Sequence, residues 1–325
     1  FATKAKARAA LLQLQEDIES GEQSRKEITV EEIAKKWLKD YSETVQESTY
    51  IKTSRNFKNH IYPVLGNRKI ASITPLQMQE QANEWSRKLV YGRKLKGLMN
   101  NVFKYAIRHG YIDTNPVDSV ITSTRKKSDN KSDFYSKDEL QKFLKLVSKT
   151  KDLEKITLFR LLAFTGARKG EILALEWKDW TDNTLDINKA ITRGFAGEEI
   201  GNTKTVSSNR LISLDKKTKS ILKKWRKQNP NTKYIFENEF KKPIPSTLPR
   251  KWLIKIVEGS DLRPIKIHGF RHTHASLCFD AGMTLKQVQH RLGHSDLKTT
   301  MNVYTHITKQ AKDDIGERFA KYIDF

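Results

Sequence analysis

Residues 268–304 contain His268-Gly-Phe-Arg271, Leu292-Gly-His294 and Tyr304, and the remaining chain is best understood from this stretch. These three motifs supply two imidazoles, a guanidinium and a phenol within one short segment. A phenol is a nucleophile, an imidazole carries protons, and a guanidinium binds phosphate oxygens bidentately. This combination indicates covalent chemistry on a phosphodiester.

Two groups upstream complete the set. A second guanidinium, Arg168, lies in Thr165-Gly-Ala-Arg-Lys-Gly-Glu171, and a candidate acid, Lys204, lies in the polar segment from Asn202 to Arg210. Two Arg, one Lys, two His and one Tyr are what such chemistry needs in the absence of a metal. Glu171, one helical turn after Arg168, is predicted to orient a neighbouring side chain rather than to react.

In their order and local context these residues resemble the tyrosine recombinase (phage integrase) family, whose signature is Arg, Lys, His-x-x-Arg, His or Trp, and Tyr. The resemblance extends over residues 28–325. It implies the integrase of a phage or conjugative transposon, which exchanges DNA strands through a 3′-phosphotyrosyl link without metal, ATP or another cofactor. It also implies double-stranded attachment sites, a homotetramer in synapsis, and accessory DNA-bending or excision proteins.

The residue types predict roles around the phosphate. Arg168 and Arg271 are expected to clamp its non-bridging oxygens, because their planar forks match them and Arg stays charged when buried. His294 is expected to donate a hydrogen bond to the phosphate, and His268 to accept or relay the tyrosyl proton. The sequence leaves open which of the two imidazoles has which role.

Tyr304 is the predicted nucleophile, and it needs cations and a base beside it because its ordinary pKa lies near 10. Lys204 is the predicted acid for the departing 5′-oxygen, since an ammonium can give up a proton and a guanidinium cannot. Lys189 and Lys216 flank the same predicted sheet and remain alternatives to Lys204.

Three other functions are compatible with parts of the pattern. A zinc enzyme could use three of the His residues between 268 and 306, such as His272 and His274, but Arg, Lys and Tyr would then have no role. A catalytically silent DNA-binding or architectural protein of the same fold is one alternative, and a type IB topoisomerase is another. Without a metal, the remaining imidazoles are interpreted as structural or adjacent to the phosphate: His272, His274, His290 and His306.

The composition favours a nucleic-acid partner. Lys and Arg outnumber Asp and Glu by 61 to 38, which gives a net charge of +23, and neutralising phosphates releases condensed counterions. The single cysteine, Cys278, excludes an intrachain disulfide and a Cys-based zinc site and fits a reducing compartment. The sequence has no apolar run of about 18 residues, so we expect no membrane span and a cytoplasmic protein in a bacterial cell.

The predicted fold is mainly α with two domains, a four-helix core-binding domain and a mixed α/β catalytic domain with a small antiparallel sheet. The resemblance further implies an arm-binding domain upstream of residue 1. The predicted divisions are an N-terminal helix and linker over 1–27, the core-binding domain over 28–121, a basic linker over 122–133, the catalytic domain over 134–307 and a C-terminal docking helix over 308–325.

In the first domain, the capping-box pattern Thr29-x-x-Glu32 and the pair Thr74-Pro75 predict helix starts, and Pro63 to Gly66 is expected to end a helix. Eight cations are predicted to face DNA phosphates there: Lys52, Arg55, Lys58, Arg87, Lys88, Arg93, Lys94 and Lys96. The linker, which lacks apolar residues, is expected to add three more: Arg125, Lys126 and Lys127.

In the second domain, Ser136-x-x-Glu139 predicts another helix start, and Glu171 to Trp177 is predicted to be helical. Three strands are expected to form one small sheet with Lys204 at a turn; they begin near Leu185, Ala190 and Arg210. Residues 309–325 carry an apolar helical stripe that needs a groove, on its own domain or on a neighbouring protomer.

Overall fold

The structure, a computed structural model, describes residues 8, 12, 15, 27–121, 133–202, 208–296 and 301. The chain divides into two compact units, Phe1–Lys127 and Ser128–Phe325. The predicted N-terminal helix lies outside the described residues apart from three isolated positions, as do the predicted C-terminal helix and, apart from Asp133, the basic linker.

The first unit is helical, and the four predicted helices are present. The second of them, α2, continues directly into a π-helix, and a short 3₁₀ turn precedes α3. The bounds are α1 Val30–Ser42, α2 Glu47–Asn56, the π-helix Phe57–Gly66, the 3₁₀ turn Ile70–Ser72, α3 Pro75–Lys88 and α4 Gly92–Arg108.

The predicted helix starts in this unit are confirmed by side-chain caps. The Thr29 hydroxyl accepts from the Glu32 amide at 3.3 Å, and the Glu32 carboxylate accepts from the Thr29 amide at 2.8 Å. Thr74 caps α3 in the same way, with Pro75 at the first helical position. Each cap satisfies amide groups that have no partner inside the helix.

Pro63 lies inside the π-helix, which runs on to Gly66. Proline has no N–H to donate and its ring disturbs an α-helical ladder. The wider π-helical turns replace the α-helix over these residues. The predicted end at Gly66 is confirmed.

Helices α3 and α4 pack closely against each other in the core of the first unit. A Cβ on Gly92 would lie 2.5 Å from the main-chain carbonyl of Trp85, so only glycine allows this approach. Apolar side chains of both helices are buried in this core, including Met78, Ala82, Trp85, Leu98, Val102, Phe103 and Ala106.

The second unit combines helices with two small antiparallel sheets. Strand β1 pairs with β4, and β2 pairs with β3. The helices are α5 Lys137–Lys149, α6 Leu153–Thr165, α7 Lys169–Leu173, α8 Lys216–Gln228, α9 Leu248–Val257, α10 Gly269–Asp280 and α11 Leu285–Leu292. The strands are β1 Thr184–Ile187, β2 Lys189–Gly194, β3 Gly197–Asn202 and β4 Arg210–Ser213.

These elements confirm the predicted fold class and the helix start at Ser136, with two corrections. The three predicted strands are present, but β2 pairs with an additional strand, β3, so they do not form one sheet among the described residues. The helix predicted to reach Trp177 ends at Leu173. Beyond it, the Leu175 carbonyl and the Trp177 amide bond to the segment at 233–235, and this pairing overrides the local helix propensity.

An aromatic cluster anchors α10 in the core. Phe270 lies 5.1 Å from Phe143, 5.6 Å from Phe159 and 6.0 Å from Tyr135, measured between ring centroids. All four side chains are buried. Because Phe270 directly precedes Arg271, the packing fixes the first turn of α10 and the guanidinium it carries.

Among the residues that the structure describes, none belongs to a helix with the length and apolar character needed to cross a membrane.

Candidate active site

Arg168 is presented by a sharp turn between two helices. Helix α6 ends at Thr165, and Gly166 follows with φ of +64°. A Cβ at Gly166 would lie 2.6 Å from Cδ2 of His274 and 2.7 Å from Cδ2 of Leu292, so both the backbone conformation and the space require glycine. Arg168 then starts α7.

Glu171 holds Arg168 in a fixed orientation. Its carboxylate accepts from the Arg168 main-chain amide at 2.8 Å and from Nη1 at 2.7 Å. The same carboxylate accepts from Nη2 of the buried Arg210 at 2.9 Å. Burial opposes ionisation of Glu171, but Arg210 and Arg168 outweigh it and hold its pKa below the ordinary value. Glu171 is therefore an internal counterion shared by two guanidinium groups.

Arg271 joins the Arg168 turn to the His294 turn. Its Nη1 donates to the Gly166 carbonyl at 2.9 Å, and its Nη2 donates to the Leu292 carbonyl at 2.7 Å. The side chain is only 3% exposed. Burial and the nearby Arg168 lower the pKa of Arg271 to about 9, so it is still a cation at neutral pH.

Two imidazoles lie among these cations. His268 immediately precedes α10, and its ring meets that of His272 edge-on at 4.9 Å. His294 follows Gly293, whose φ of +67° ends α11. Partial burial and the neighbouring positive charges of Arg271 and Arg168 lower the pKa of His294 to about 3. Partial burial, His272 and the same two guanidinium groups lower the pKa of His268 to about 4.

Both rings are therefore neutral at pH 7 in the free protein, and each offers one donor and one acceptor nitrogen. Arriving phosphate would bring negative charge next to them and shift both pKa values upward. A neutral His268 can accept a proton, and a neutral His294 can donate a hydrogen bond.

The structure thus brings together five of the predicted site residues: Arg168, Glu171, His268, Arg271 and His294. Lys204 and Tyr304 lie outside the described residues. Of the two alternatives to Lys204, Lys189 is bound to Asp179 at 2.6 Å in a partly buried ion pair. Lys216 is exposed at the start of α8. Lys204 as the acid therefore stays a prediction.

His274, a candidate zinc ligand, has both ring nitrogens engaged. Nδ1 lies 2.8 Å from the Ala163 carbonyl, and Nε2 accepts from Nε of Arg291 at 3.0 Å. Within the described part of the chain, no three His, Cys, Asp or Glu side chains are placed to hold a metal ion. Burial and Arg291 lower the pKa of His274 to about 4.

Sequence reasoning missed the two internal guanidinium groups, Arg210 and Arg291. Arg210 donates to the carbonyls of Arg291 and Ser208, each at 2.8 Å, besides its bond to Glu171. Neither residue stands in a motif that distinguishes it from a surface cation. Apart from Ser208, their partners come from segments that are far away in the sequence, so only the fold identifies them.

The predicted phosphate-facing cations of the first unit differ in their surroundings. Lys88 pairs with Glu84 at 2.6 Å, and Nζ of Lys96 donates to the Val120 carbonyl at 2.6 Å. Six others are exposed: Lys52, Arg55, Lys58, Arg87, Arg93 and Lys94. The three predicted in the linker lie outside the described residues: Arg125, Lys126 and Lys127.

Comparison with known families decides how this arrangement is classified. Residues 133–311, more than half of the chain, match the model described as the phage integrase family. The chain belongs to the phage integrase family. Residues 29–86 match the SAM-like N-terminal domain of phage integrases.

Curated relatives of this integrase-family chain are named as integrases and tyrosine recombinases. It is 29% identical over 235 residues to the ICEBs1 integrase of Bacillus subtilis, covering 68% of this chain but only 62% of that protein. It is 31% identical over 179 residues to the integrase of Staphylococcus phage L54a, covering 50% of each. A XerC-like tyrosine recombinase of Caldanaerobacter subterraneus is 27% identical, covering 90% of this chain and 82% of the relative.

Solved structures share the fold. The Tn1549 transposon integrase in complex with circular intermediate DNA superposes with a TM-score of 0.75 at 20% identity, covering 90% of this chain and all of that one. A lambda integrase tetramer bound to a Holliday junction gives a TM-score of 0.70 at 19% identity, covering 90% and 88%. At these identities the likeness concerns the fold.

Proposed function

We propose that the chain is a site-specific DNA recombinase that cleaves and rejoins DNA strands through a covalent link between Tyr304 and a 3′-phosphate. One observation carries the proposal: Arg271 bridges the turns that present Arg168 and His294, so cations and neutral imidazoles converge from three separate segments. Such a site is complementary to a phosphodiester whose negative charge spreads in the transition state.

In the proposed cleavage step, the Tyr304 oxygen attacks phosphorus, an O–P bond forms, and the bond from phosphorus to the 5′-oxygen breaks. Lys204 gives a proton to the departing 5′-oxygen, and His268 receives the tyrosyl proton. Arg168 and Arg271 neutralise the non-bridging oxygens. The phosphotyrosyl ester conserves the energy of the broken bond, so rejoining by a 5′-hydroxyl needs no cofactor.

The positive charge of +23 supports double-stranded DNA as the substrate. The Tn1549 and lambda complexes support binding to attachment or core sites and assembly of a homotetramer in synapsis. The ICEBs1 and phage L54a relatives support a mobile element as its origin and a bacterial cell as its place of action. Accessory DNA-bending or excision proteins are part of the same proposal, as are the predicted domain boundaries.

A nicked suicide duplex tests the reaction, because loss of a short 5′-fragment traps the covalent intermediate. The duplex carries the junction sequence recovered from a chromosomal insertion. We expect wild type and Tyr91→Phe, a control change at an exposed tyrosine, to form a protein–DNA adduct, and Tyr304→Phe to form none. Arg168→Ala should lower the cleavage rate by about 10²-fold or more, by analogy with removal of one oxyanion donor.

Three outcomes would contradict the proposal. Specific binding of the duplex without an adduct in wild type would leave a DNA-binding protein. Relaxation of supercoiled DNA without exchange between two sites would identify a topoisomerase instead. An adduct in Tyr304→Phe would reject that residue as the nucleophile.

A further inference from the structure

The C-terminal end of helix α6 is bound by three side chains from one distant segment of the chain. The Ala163 carbonyl lies 2.8 Å from Nδ1 of His274. The Phe164 carbonyl accepts from Arg291 at 2.9 Å, and the Gly166 carbonyl accepts from Arg271 at 2.9 Å. Carbonyls at a helix end lack partners inside the helix and carry its negative dipole. Cationic donors are therefore well matched to this position.

Arg291 is the centre of this cap. Its Nε donates to Nε2 of His274 at 3.0 Å, and Nη1 and Nη2 donate to the hydroxyl and the carbonyl of Ser213, each at 3.3 Å. Its own carbonyl accepts from Arg210 at 2.8 Å. One side chain thereby joins α6, β4 and α10 to its own helix, α11.

These contacts fix the protonation of His274. An Arg Nε–H can only donate, so Nε2 of His274 must be the acceptor and Nδ1 must carry the hydrogen that it donates to Ala163. The neutral tautomer is thus determined by its partners on both sides. Arg291 supplies the shorter of two contacts to Nε2, since the Cys278 sulfur also lies 3.4 Å from it.

We propose that Arg291 is a positioning residue for the recombination reaction, which sets Arg168 and His294 relative to each other without touching DNA. This inference rests on the proposed function. The Arg291 side chain donates to the Phe164 carbonyl, two residues before the Gly166 turn that leads to Arg168. Arg291 itself lies three positions before His294 in the sequence. All three of its side-chain nitrogens are engaged inside the protein.

The geometry makes Arg291→Lys informative. Lysine keeps the charge, but its single ammonium cannot reproduce a planar fork that reaches the imidazole and two main-chain segments at once. A misplacement of about 1 Å can lower an enzymatic rate about 10²-fold. We expect Arg291→Lys to cleave about 10- to 100-fold more slowly per active molecule, while its affinity for the duplex stays within about twofold of wild type. Arg291→Met should be at least as slow.

The test measures single-turnover cleavage of the nicked duplex. The amplitude reports the fraction of active protein, and the rate constant reports how fast the active molecules cleave the strand. Lys286→Met is the matched control, because Lys286 is an exposed cation on the same helix. It should cleave at the wild-type rate.

Slower cleavage at unchanged amplitude and affinity supports positioning. A wild-type rate constant for Arg291→Lys would overturn the positioning role, whether the cleavage amplitude is unchanged or reduced. A reduced amplitude alone means that less of the protein is active, which is what a purely structural role predicts. Loss of the near-ultraviolet circular dichroism of Arg291→Lys would also leave only a structural role. If wild type itself forms no adduct, the proposed function fails first and the positioning role fails with it.

Discussion

Replacing Glu171 with glutamine tests how the site keeps its guanidinium groups in place. Glu171 is 2% exposed and bonds to Arg168 at 2.7 Å and to Arg210 at 2.9 Å. Glutamine has nearly the same shape and keeps one oxygen acceptor, but it removes the negative charge. Arg210, whose side chain is also 2% exposed, then has a buried charge without its counterion.

The size of the effect follows from that burial. Removing one partner of a buried ion pair costs about 3–5 kcal/mol, because the remaining charge is left uncompensated. We expect the lower end, about 3 kcal/mol, since Arg210 also donates to two main-chain carbonyls. For a domain of about 150–250 residues this corresponds to a decrease in Tm of about 6–12 °C.

Denaturation of the free protein, followed by circular dichroism, measures the loss, and its pH dependence identifies the cause. A carboxylate whose pKa is lowered by folding stabilises the protein above its ordinary pKa of 4.5 and loses that contribution as the pH falls through the folded value. Glutamine cannot titrate. The stability difference between wild type and Glu171→Gln should therefore be largest near neutral pH and shrink at pH values below 4.5.

The control is Glu258→Gln, the same change at an exposed position, which should leave Tm unchanged. A Tm for Glu171→Gln close to that of wild type at neutral pH would refute the counterion role. So would a stability difference that does not change as the pH is lowered.

Three further predictions concern the Gly166 turn, the two imidazoles and the cations that are predicted to face DNA phosphates. Gly166→Ala should lower the urea midpoint, because the new Cβ would lie 2.6 Å from His274 at a φ of +64°; an unchanged midpoint would contradict the steric argument. The NMR chemical shifts of the His268 and His294 ring protons should stay constant between pH 8 and 5 in the free protein, since the pKa values of these rings are about 4 and about 3. The free energy of unfolding should fall as the pH drops from 6.5 towards these values. Lys52→Ala should reduce the slope of the logarithm of the duplex-binding constant against the logarithm of the salt concentration by about 0.9. Lys96→Ala removes a hydrogen bond to a carbonyl and should change that slope less. Equal slopes for the two variants would reject this difference.

Local signals in the sequence predicted the helix starts well. Thr29, Thr74 and Ser136 each satisfy amide groups within the next three residues, so the cap is decided by neighbours in sequence. The sequence motif also selected Arg168 and Arg271, whose partners the fold then supplies.

Features that depend on distant segments were not predictable in this way. The helix after Glu171 ends early because residues 175–177 pair with residues 233–235, which local propensity does not encode. Arg291 has the same appearance in the sequence as an exposed cation. Its contacts with α6, β4 and α10 exist only once these three elements are packed around it.

The β2–β3 hairpin is tied to the residue next to Arg168. Glu198 on β3 accepts from the main-chain amide of Ser246 at 2.9 Å and from its hydroxyl, and the Ser246 carbonyl accepts from Lys169 at 2.6 Å. Gly170 lies so close to Ile191 on β2 that a Cβ there would approach its carbonyl oxygen to 2.8 Å. Any displacement of the hairpin must either break these bonds or carry the first turn of α7 with it. Mechanical load on the hairpin, wherever it originates, would thus be transmitted to Arg168 through a single peptide link.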